Sequence, residues 1–435
     1  MRALYLAFQQ AAVAQARWEQ EMAANVFRSR RRLLVLALLL VPIVIGTIAH
    51  AAVLPAVIGG KETYSPVFFT PTVFLVAILV ELCAGLITGC IGAGGGFIIT
   101  PALMSVGVKG ILAVGTDLFH IFAKAIMGTA VHKKLGNVSV KLAIAFLVGS
   151  AMGSTVGGSI NRALYHADPV LSDTFINLVY VVLLGFLGFY ALHDYMSLRK
   201  GPAVGAHVGE SPRGKAAARA KGGIIARLQG ARIPPLITFD EDLVPGGKRI
   251  PALFVAICGA IVGVAASIMG VGGGFLTFPM FVYVLGVSSF TTVGTDILQI
   301  IFTAGYACTT QYAIYGFIFY TLAMGMLVGS LVGIQVGALT TKVVKGIHIR
   351  GFYAITILAG FVNRLFALPA KLAELKLVAI PRPVTAAFDT AGFYVFFAVV
   401  GVFAVWVMRE FFGKIRVLRG EAVASATSVT SFPET

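Results

Sequence analysis

The amino-acid sequence predicts an all-α integral membrane protein with two inverted-topology repeats. Three observations lead to this fold class: the composition, the length of the apolar runs and a duplicated glycine motif. Of the 435 residues, 58% are hydrophobic and only 12% are charged, whereas soluble domains are nearer half apolar and a quarter charged. Many apolar runs approach the roughly 20 residues that a helix needs to cross a bilayer.

The domain organisation follows from the apolar runs and the basic stretches between them. Six segments are predicted: a cytoplasmic amphipathic segment, a peripheral transmembrane helix, transport repeat 1, a cytoplasmic basic linker, transport repeat 2 and a cytoplasmic tail, at residues 1–32, 33–58, 72–197, 198–249, 250–412 and 413–435. Each repeat is a re-entrant helical hairpin with a GGG tip plus three spanning helices. An odd number of crossings inverts the second copy.

The net charge of +16 would suggest a nucleic-acid partner in a soluble protein. Here the basic residues lie between apolar runs, so we predict no nucleic-acid partner and contacts with membrane lipids instead. Basic loops mark the cytoplasmic side of a membrane protein. Both termini are therefore predicted to be cytoplasmic, with a bacterial inner membrane as the location.

The glycine motif reads IGAGGGFIITP up to Pro101 and MGVGGGFLTFP up to Pro279. The apolar runs that follow, Phe97–Val106 and Phe275–Leu285, have ten and eleven residues. At 1.5 Å per residue, such runs cannot cross a hydrocarbon core of about 30 Å. We therefore predict that each run is one half of a re-entrant hairpin with the glycines at its tip.

Two interpretations of the glycines remain open. Small residues allow helices to pack closely. Alternatively, a helix that begins inside the membrane presents free N–H groups and the positive end of its dipole, which together form an anion site. On the second interpretation the substrate contacts are Gly94, Gly95, Gly96, Gly272, Gly273 and Gly274.

A polar helix face follows each hairpin. Asp117, His120 and Lys124 stand at i, i+3 and i+7 and share one face. The second copy has Asp296 and neutral residues at the matched positions. An ionisable residue in a membrane helix costs roughly 3 kcal/mol, so such residues normally face a cavity or each other.

This face also has two interpretations. In the simpler one, Asp117 pairs with Lys124 and His120 bridges them. In the other, the hydroxyl groups of Thr116 and Thr295 and the ammonium of Lys124 contact the anion. The coupling proton is then carried by Asp117, Asp296 or His120, with Glu81 as a candidate second carrier. Glu81 alternatively pairs with a neighbouring helix.

Other residues are predicted to be structural. Gly149, Gly153 and Gly157 form small-xxx-small packing faces, as do their copies Gly329, Gly333 and Gly337. Arg364, late in its apolar run, is expected to extend to the membrane surface. The stretch RIPPLITFDEDLVPGGKRIP, at the end of the basic linker, is expected to form an ordered strap.

The duplicated GxGGGF motif with its proline, followed by VGT, resembles the TauE/SafE sulfite exporter family, also called the 4-toluene sulfonate uptake permease family. The resemblance covers about 73–192 and 252–411. It implies transport of a sulfur-containing anion such as sulfite, sulfoacetate, another organosulfonate or thiosulfate. The chain departs from the family in the acid after GT, where a small polar residue is common, and in its long linker.

These observations predict a secondary transporter that works by alternating access with a coupling proton. A passive anion channel is the alternative. The sequence has no nucleophile or metal-ligand constellation, so we predict no enzyme, no catalytic residue, no metal and no cofactor. A homodimer is one assembly that the sequence leaves open.

Overall fold

A computed structural model describes residues 71–91, 95–134, 139–199, 228–231, 233–240, 247–340, 344 and 346–414. These residues are mostly helical, as the predicted fold class requires. The amphipathic segment 1–32, the helix 33–58 and Gly94 lie outside the described residues. Most of the basic linker and most of the tail also lie outside them.

Five helices make up the first half of the described chain and six the second. The first five are α1 (Pro71–Ile91), α2 (Gly96–Ser105), α3 (Gly110–Lys134), α4 (Val140–Ala167) and α5 (Pro169–Arg199). The next six are α6 (Ala252–Met269), α7 (Gly274–Pro279), α8 (Ser289–Ala307), α9 (Tyr320–Thr340), α10 (Gly346–Glu374) and α11 (Arg382–Gly413). A π-helical segment directly follows α7 at Met280–Leu285 and α8 at Cys308–Ala313.

Within the described part of the chain, five helices are long and apolar enough to cross a membrane: α4, α5, α6, α10 and α11. Several large apolar side chains on them point outward, among them Phe186 and Val405, each 69% exposed. Lipid tails can cover such side chains, whereas water would make this exposure costly. These features are those of a multi-pass membrane protein.

The helices that follow the glycine motifs are short. α2 has ten residues, and α7 with its π-helical continuation has twelve. At 1.5 Å per residue these helices are about 15 and 18 Å long. Each begins after a glycine in the left-handed conformation, Gly95 with φ 61° and Gly273 with φ 89°.

The two halves pack against each other in a crossed arrangement. α1 lies along α9, and its counterpart α6 lies along α4. α3 packs on α8, and α5 packs on α10. α11 also packs on α10. The predicted small-residue faces are confirmed, since a Cβ atom at Gly149 would collide with the carbonyl oxygen of Ala256 and one at Gly329 with that of Ile78.

The strap before α6 contains a two-stranded antiparallel sheet, β1 (Leu236–Phe239) and β2 (Lys248–Pro251). Asp240 follows β1 and accepts hydrogen bonds from the backbone N–H and the hydroxyl group of Ser288, at 2.9 and 2.7 Å. Ser288 caps the N-terminus of α8. The prediction of an ordered strap is confirmed for residues 233–240 and 247–251, and Asp240 fixes the strap to α8.

Candidate functional site

The glycine turns of the two halves meet inside the protein. A Cβ atom added to Gly96 would lie 3.0 Å from Cα of Val271 and 2.9 Å from Cδ1 of Ile121. One added to Gly272 would lie 2.7 Å from Cγ2 of the same Ile121. We call this meeting of residues 95–96 with 270–273 beside Ile121 the glycine junction. Only glycine allows the two turns to approach this closely.

Backbone conformation also demands glycine at the junction. Gly270, Gly272 and Gly273 have φ of 81°, 65° and 89°, and any other L-residue would lose roughly 1–2 kcal/mol in this left-handed region. The first hydrogen bonds of the helices beyond run from Ile98 N to Gly95 O and from Leu276 N to Gly273 O. The N–H groups of residues 96–97 and 274–275 therefore precede the helical hydrogen bonding.

A charged cluster, formed by Glu81 on α1 with Asp117, His120 and Lys124 on α3, is buried near the junction. Oε1 of Glu81 lies 3.1 Å from Nε2 of His120 and 3.2 Å from Nζ of Lys124. Nδ1 of His120 lies 3.8 Å from Oδ1 of Asp117. The partner of Lys124 is therefore Glu81, which corrects the simpler expectation of an Asp117–Lys124 pair.

The charged cluster contains two carboxyl groups but only one permanent cation. With both acids ionised and His120 neutral, its net charge is negative by one unit. A proton on His120 would bring the cluster to neutrality. Thr100 on α2 donates a hydrogen bond of 2.9 Å to Oδ2 of Asp117, which connects the cluster to the short helix beyond the first glycine turn.

The matched positions of α8 form a counterpart of this cluster in which Asp296 has neutral neighbours at the other two positions. Gln299 Nε2 donates to Oδ1 of Asp296 at 2.8 Å, and Thr303 donates to Oε1 of Gln299 at 2.8 Å. The hydroxyl of Ser150 on α4 lies 2.8 Å from that of Thr303. Within the described residues, no basic nitrogen comes within 4.0 Å of Asp296. The two halves therefore differ in their ionisable side chains, since the counterpart has neutral residues where the first half has His120 and Lys124.

Thr116 and Thr295 both bind backbone at the start of a helix in the other half. The backbone N–H of Phe319, before α9, donates to the Thr116 hydroxyl at 3.0 Å. The N–H of Ser139, before α4, donates to the Thr295 hydroxyl at 2.9 Å. These reciprocal bonds give both hydroxyl groups a structural role that the sequence did not indicate.

Two further buried polar residues, Arg364 and Thr100, differ from what the sequence indicated. Arg364 does not reach the surface as expected, since it is only 2% exposed and is held by the side chains of α2, α5 and α10. Thr100 was missed, although it stands directly before Pro101 of the glycine motif and is fully buried.

Buried ionisable residues among lipid-spanning apolar helices are typical of proteins that move solutes or ions across membranes. Residues 76–364 match the family described as sulfite exporter TauE/SafE. The chain therefore belongs to the TauE/SafE family, which the duplicated glycine motif had indicated.

Curated relatives of the chain are named as membrane transporters. The probable membrane transporter protein YjnA of Bacillus subtilis (strain 168) is 24% identical over 266 residues, covering 60% of this chain and 87% of the relative. YunE of the same organism, named in the same way, is 24% identical over 278 residues, covering 61% and 87%. A probable membrane transporter protein of Xylella fastidiosa (strain 9a5c) is 24% identical over 257 residues, covering 59% and 80%.

Proposed function

We propose that the protein is a secondary transporter that carries a small sulfur-containing anion across the bacterial inner membrane by alternating access. The substrate class is sulfite, sulfoacetate, another organosulfonate or thiosulfate. Membership of the TauE/SafE sulfite exporter family is the observation that carries this proposal. The curated relatives, which are named as probable membrane transporters, support the general class.

The transport unit consists of two inverted repeats, residues 72–197 and 250–412, each with a re-entrant hairpin. The crossed packing supports this arrangement, because α1 contacts α9 just as its counterpart α6 contacts α4. The reciprocal bonds of Thr116 and Thr295 support it as well, since donors and acceptors occupy matched positions in the two halves. Repeats related in this way bind substrate at their interface in many transporters.

The anion binds at the glycine junction. The turns of both halves meet there, and two helices begin with N–H groups that precede their hydrogen-bonded turns. The proposed contacts are the backbone of the glycines at 94–96 and 272–274, the ammonium of Lys124 and the hydroxyl groups of Thr116 and Thr295. To contact the anion, these hydroxyl groups would have to accept the backbone N–H and donate their own hydrogen to the anion.

The charged cluster couples anion movement to a proton. An anion near Lys124 is repelled by Glu81 and Asp117 while both are ionised, because charges interact strongly in a buried site. A proton on Asp117, His120 or Glu81 removes one unit of that repulsion, so proton and anion favour each other's binding. Asp296, a buried acid with neutral partners, is the proposed proton carrier of the second half.

Counterflow in proteoliposomes tests whether the protein is a carrier or a channel. Vesicles are loaded with unlabelled sulfite and diluted into a trace of labelled sulfite, with the membrane potential clamped at zero. A carrier transiently accumulates label above its external concentration because unlabelled substrate leaves through the same site. Equilibration without overshoot in tight vesicles would favour the passive channel, and no flux of sulfite, sulfoacetate or thiosulfate in the same assay would contradict the substrate class.

A further inference from the structure

A buried arginine joins three helices away from the charged cluster. Arg364 on α10 donates from Nε to Oδ1 of Asn363 at 2.8 Å and from Nη1 to Oδ1 of Asn177 on α5 at 3.1 Å. Its Nη2 donates to the hydroxyl group of Ser105 at the end of α2. A guanidinium has five N–H donors, so two hydrogens remain beyond these three bonds.

All three acceptors of Arg364 are neutral. Among the described residues, no carboxylate oxygen lies within 4.0 Å of its guanidinium. Asp173, one turn before Asn177, instead pairs with Lys371 at 3.6 Å and accepts the backbone N–H of Gly110 at 2.8 Å. Asp389 on α11, which is exposed, and Asp173 attract the guanidinium only from beyond this distance. A buried cation that has no acid in direct contact has lost its hydration without the full compensation that an ion pair would supply.

The side-chain amide of Asn177, next to Arg364, has a donor without an acceptor among the described residues. Asn177 is fully buried, and its Oδ1 is occupied by Arg364. Because arginine can only donate, this bond fixes which end of the amide faces Arg364. Nδ2 of Asn177 then has no hydrogen-bond partner within the described part of the chain. Buried donors are normally satisfied, so the unpaired Nδ2 indicates a missing acceptor.

We infer that Arg364 and Asn177, supported by Ser105 and Asn363, bind a small oxyanion at a second site. One anion supplies both missing elements, a negative charge in direct contact with the guanidinium and an oxygen atom for Nδ2. Guanidinium groups bind planar or tetrahedral oxyanions through two parallel N–H bonds. Sulfite, sulfate and the sulfonate group have oxygen atoms at suitable spacing.

This site is separate from the glycine junction but connected to it. Ser105 lies nine residues after Gly96 along α2, a rise of about 14 Å. Tyr180, one turn after Asn177 on α5, donates its hydroxyl to the carbonyl of Met269, directly before the second glycine turn. The inference concerns binding alone, so it does not depend on the transport activity proposed above.

The substitution Asn177→Asp tests the inference with little change of shape. The aspartate still accepts the bond from Arg364, but it supplies an internal negative charge and removes the Nδ2 donor. Equilibrium binding of radiolabelled sulfite to detergent-purified protein should show one site fewer per chain in this variant than in the wild type. Without sulfite, the variant should unfold at a higher temperature than the wild type because its arginine is paired.

Two arginine variants provide the matched comparison. Arg364→Gln should also lose one sulfite site, whereas Arg350→Gln should keep the wild-type number, because Arg350 is a buried arginine already paired with Asp194 at 3.4 Å. Equal numbers of sites in the wild type and in Asn177→Asp would overturn the inference, as would a less stable Asn177→Asp protein. If the glycine junction binds no sulfite, the wild type should keep one site and Asn177→Asp none, so failure of the two proposals can be distinguished.

Discussion

Lys124 on α3 donates a hydrogen bond to Glu81 on α1 at 3.2 Å, and both side chains lie inside the helix packing. The same Oε1 atom of Glu81 lies 3.1 Å from His120 Nε2, while Oε2 has no hydrogen-bond partner among the described residues. One carboxylate oxygen thus faces two nitrogen groups. A proton or an anion that enters the cluster must compete with this contact, which makes Glu81 central to the proposed coupling.

Glu81→Gln should uncouple uptake from the proton gradient. Glutamine keeps an acceptor oxygen for Lys124 but removes the charge that changes the affinity of the cluster for a proton. We expect the stimulation of sulfite uptake by an inward proton gradient to fall by about tenfold, on the order of 1.4 kcal/mol of coupling. The control is Glu374→Gln, at the exposed end of α10. Equal stimulation in both variants would exclude Glu81 from coupling.

Lys124→Met should weaken anion binding. The substitution preserves the length and apolar stem of the side chain but removes the charge proposed to contact the substrate. We expect the Kd for sulfite to rise by about tenfold or more, because lost charge contacts in buried sites cost on the order of 2 kcal/mol or more. Lys141→Met, at an exposed position near the start of α4, should leave the Kd unchanged.

A double variant distinguishes anion binding by Lys124 from a purely structural pairing of Lys124 with Glu81. If Lys124 serves only as the structural partner of Glu81, then Glu81→Gln combined with Lys124→Met removes both members of that ion pair together and should restore the wild-type Kd. We predict that affinity stays low in the double variant. Full restoration would mean that Lys124 does not bind the anion.

Gly272→Ala should block transport through its position at the glycine junction. The new methyl group would stand 2.7 Å from Cγ2 of Ile121 in a turn with φ 65°. Gly107→Ala is the matched control, since Gly107 has φ 93° but no atom within 4 Å of an added Cβ. Both variants lose roughly 1–2 kcal/mol from backbone conformation, so equal uptake by the two would show that the junction itself is unimportant.

Gly149→Ala should destabilise the protein because α4 and α6 are in contact there. Its methyl group would collide with the carbonyl oxygen of Ala256, and such overpacking typically costs about 1–3 kcal/mol. Gly401→Ala, in α11 with no neighbour within 4 Å, should instead gain about 0.5–1 kcal/mol from helix propensity. Thermal unfolding in detergent should show opposite shifts, and shifts of the same sign would contradict this account of the packing.

The sequence predicted the features that depend on local pattern. Two short helices follow the glycine motifs because a left-handed turn interrupts each apolar run, and glycine is the residue that permits it. The small-residue faces were predictable as well, because a four-residue spacing places Gly149 and Gly153 on one side of a helix. Both patterns predict a contact surface but do not indicate which helix packs against it.

The partners across the structure were not predictable in the same way. The spacing of Asp117 and Lys124 shows that they share a face, but it does not show that the side chain of Glu81, on α1, reaches Lys124. Thr116 and Thr295 resembled ligand contacts, and only the crossed packing of the halves reveals their bonds to helix starts. Arg364 was expected to extend to the membrane surface because the sequence does not show that Asn177 and Ser105 surround its side chain.

Initial rates of labelled sulfite and sulfoacetate uptake into proteoliposomes, with and without an imposed inward proton gradient, test the central claim most directly. The account predicts saturable uptake of at least one of these anions that increases with the gradient and returns to the basal rate when a protonophore collapses it. An uptake rate that does not saturate and is the same with and without the proton gradient, in vesicles shown to be tight, would contradict proton-coupled transport.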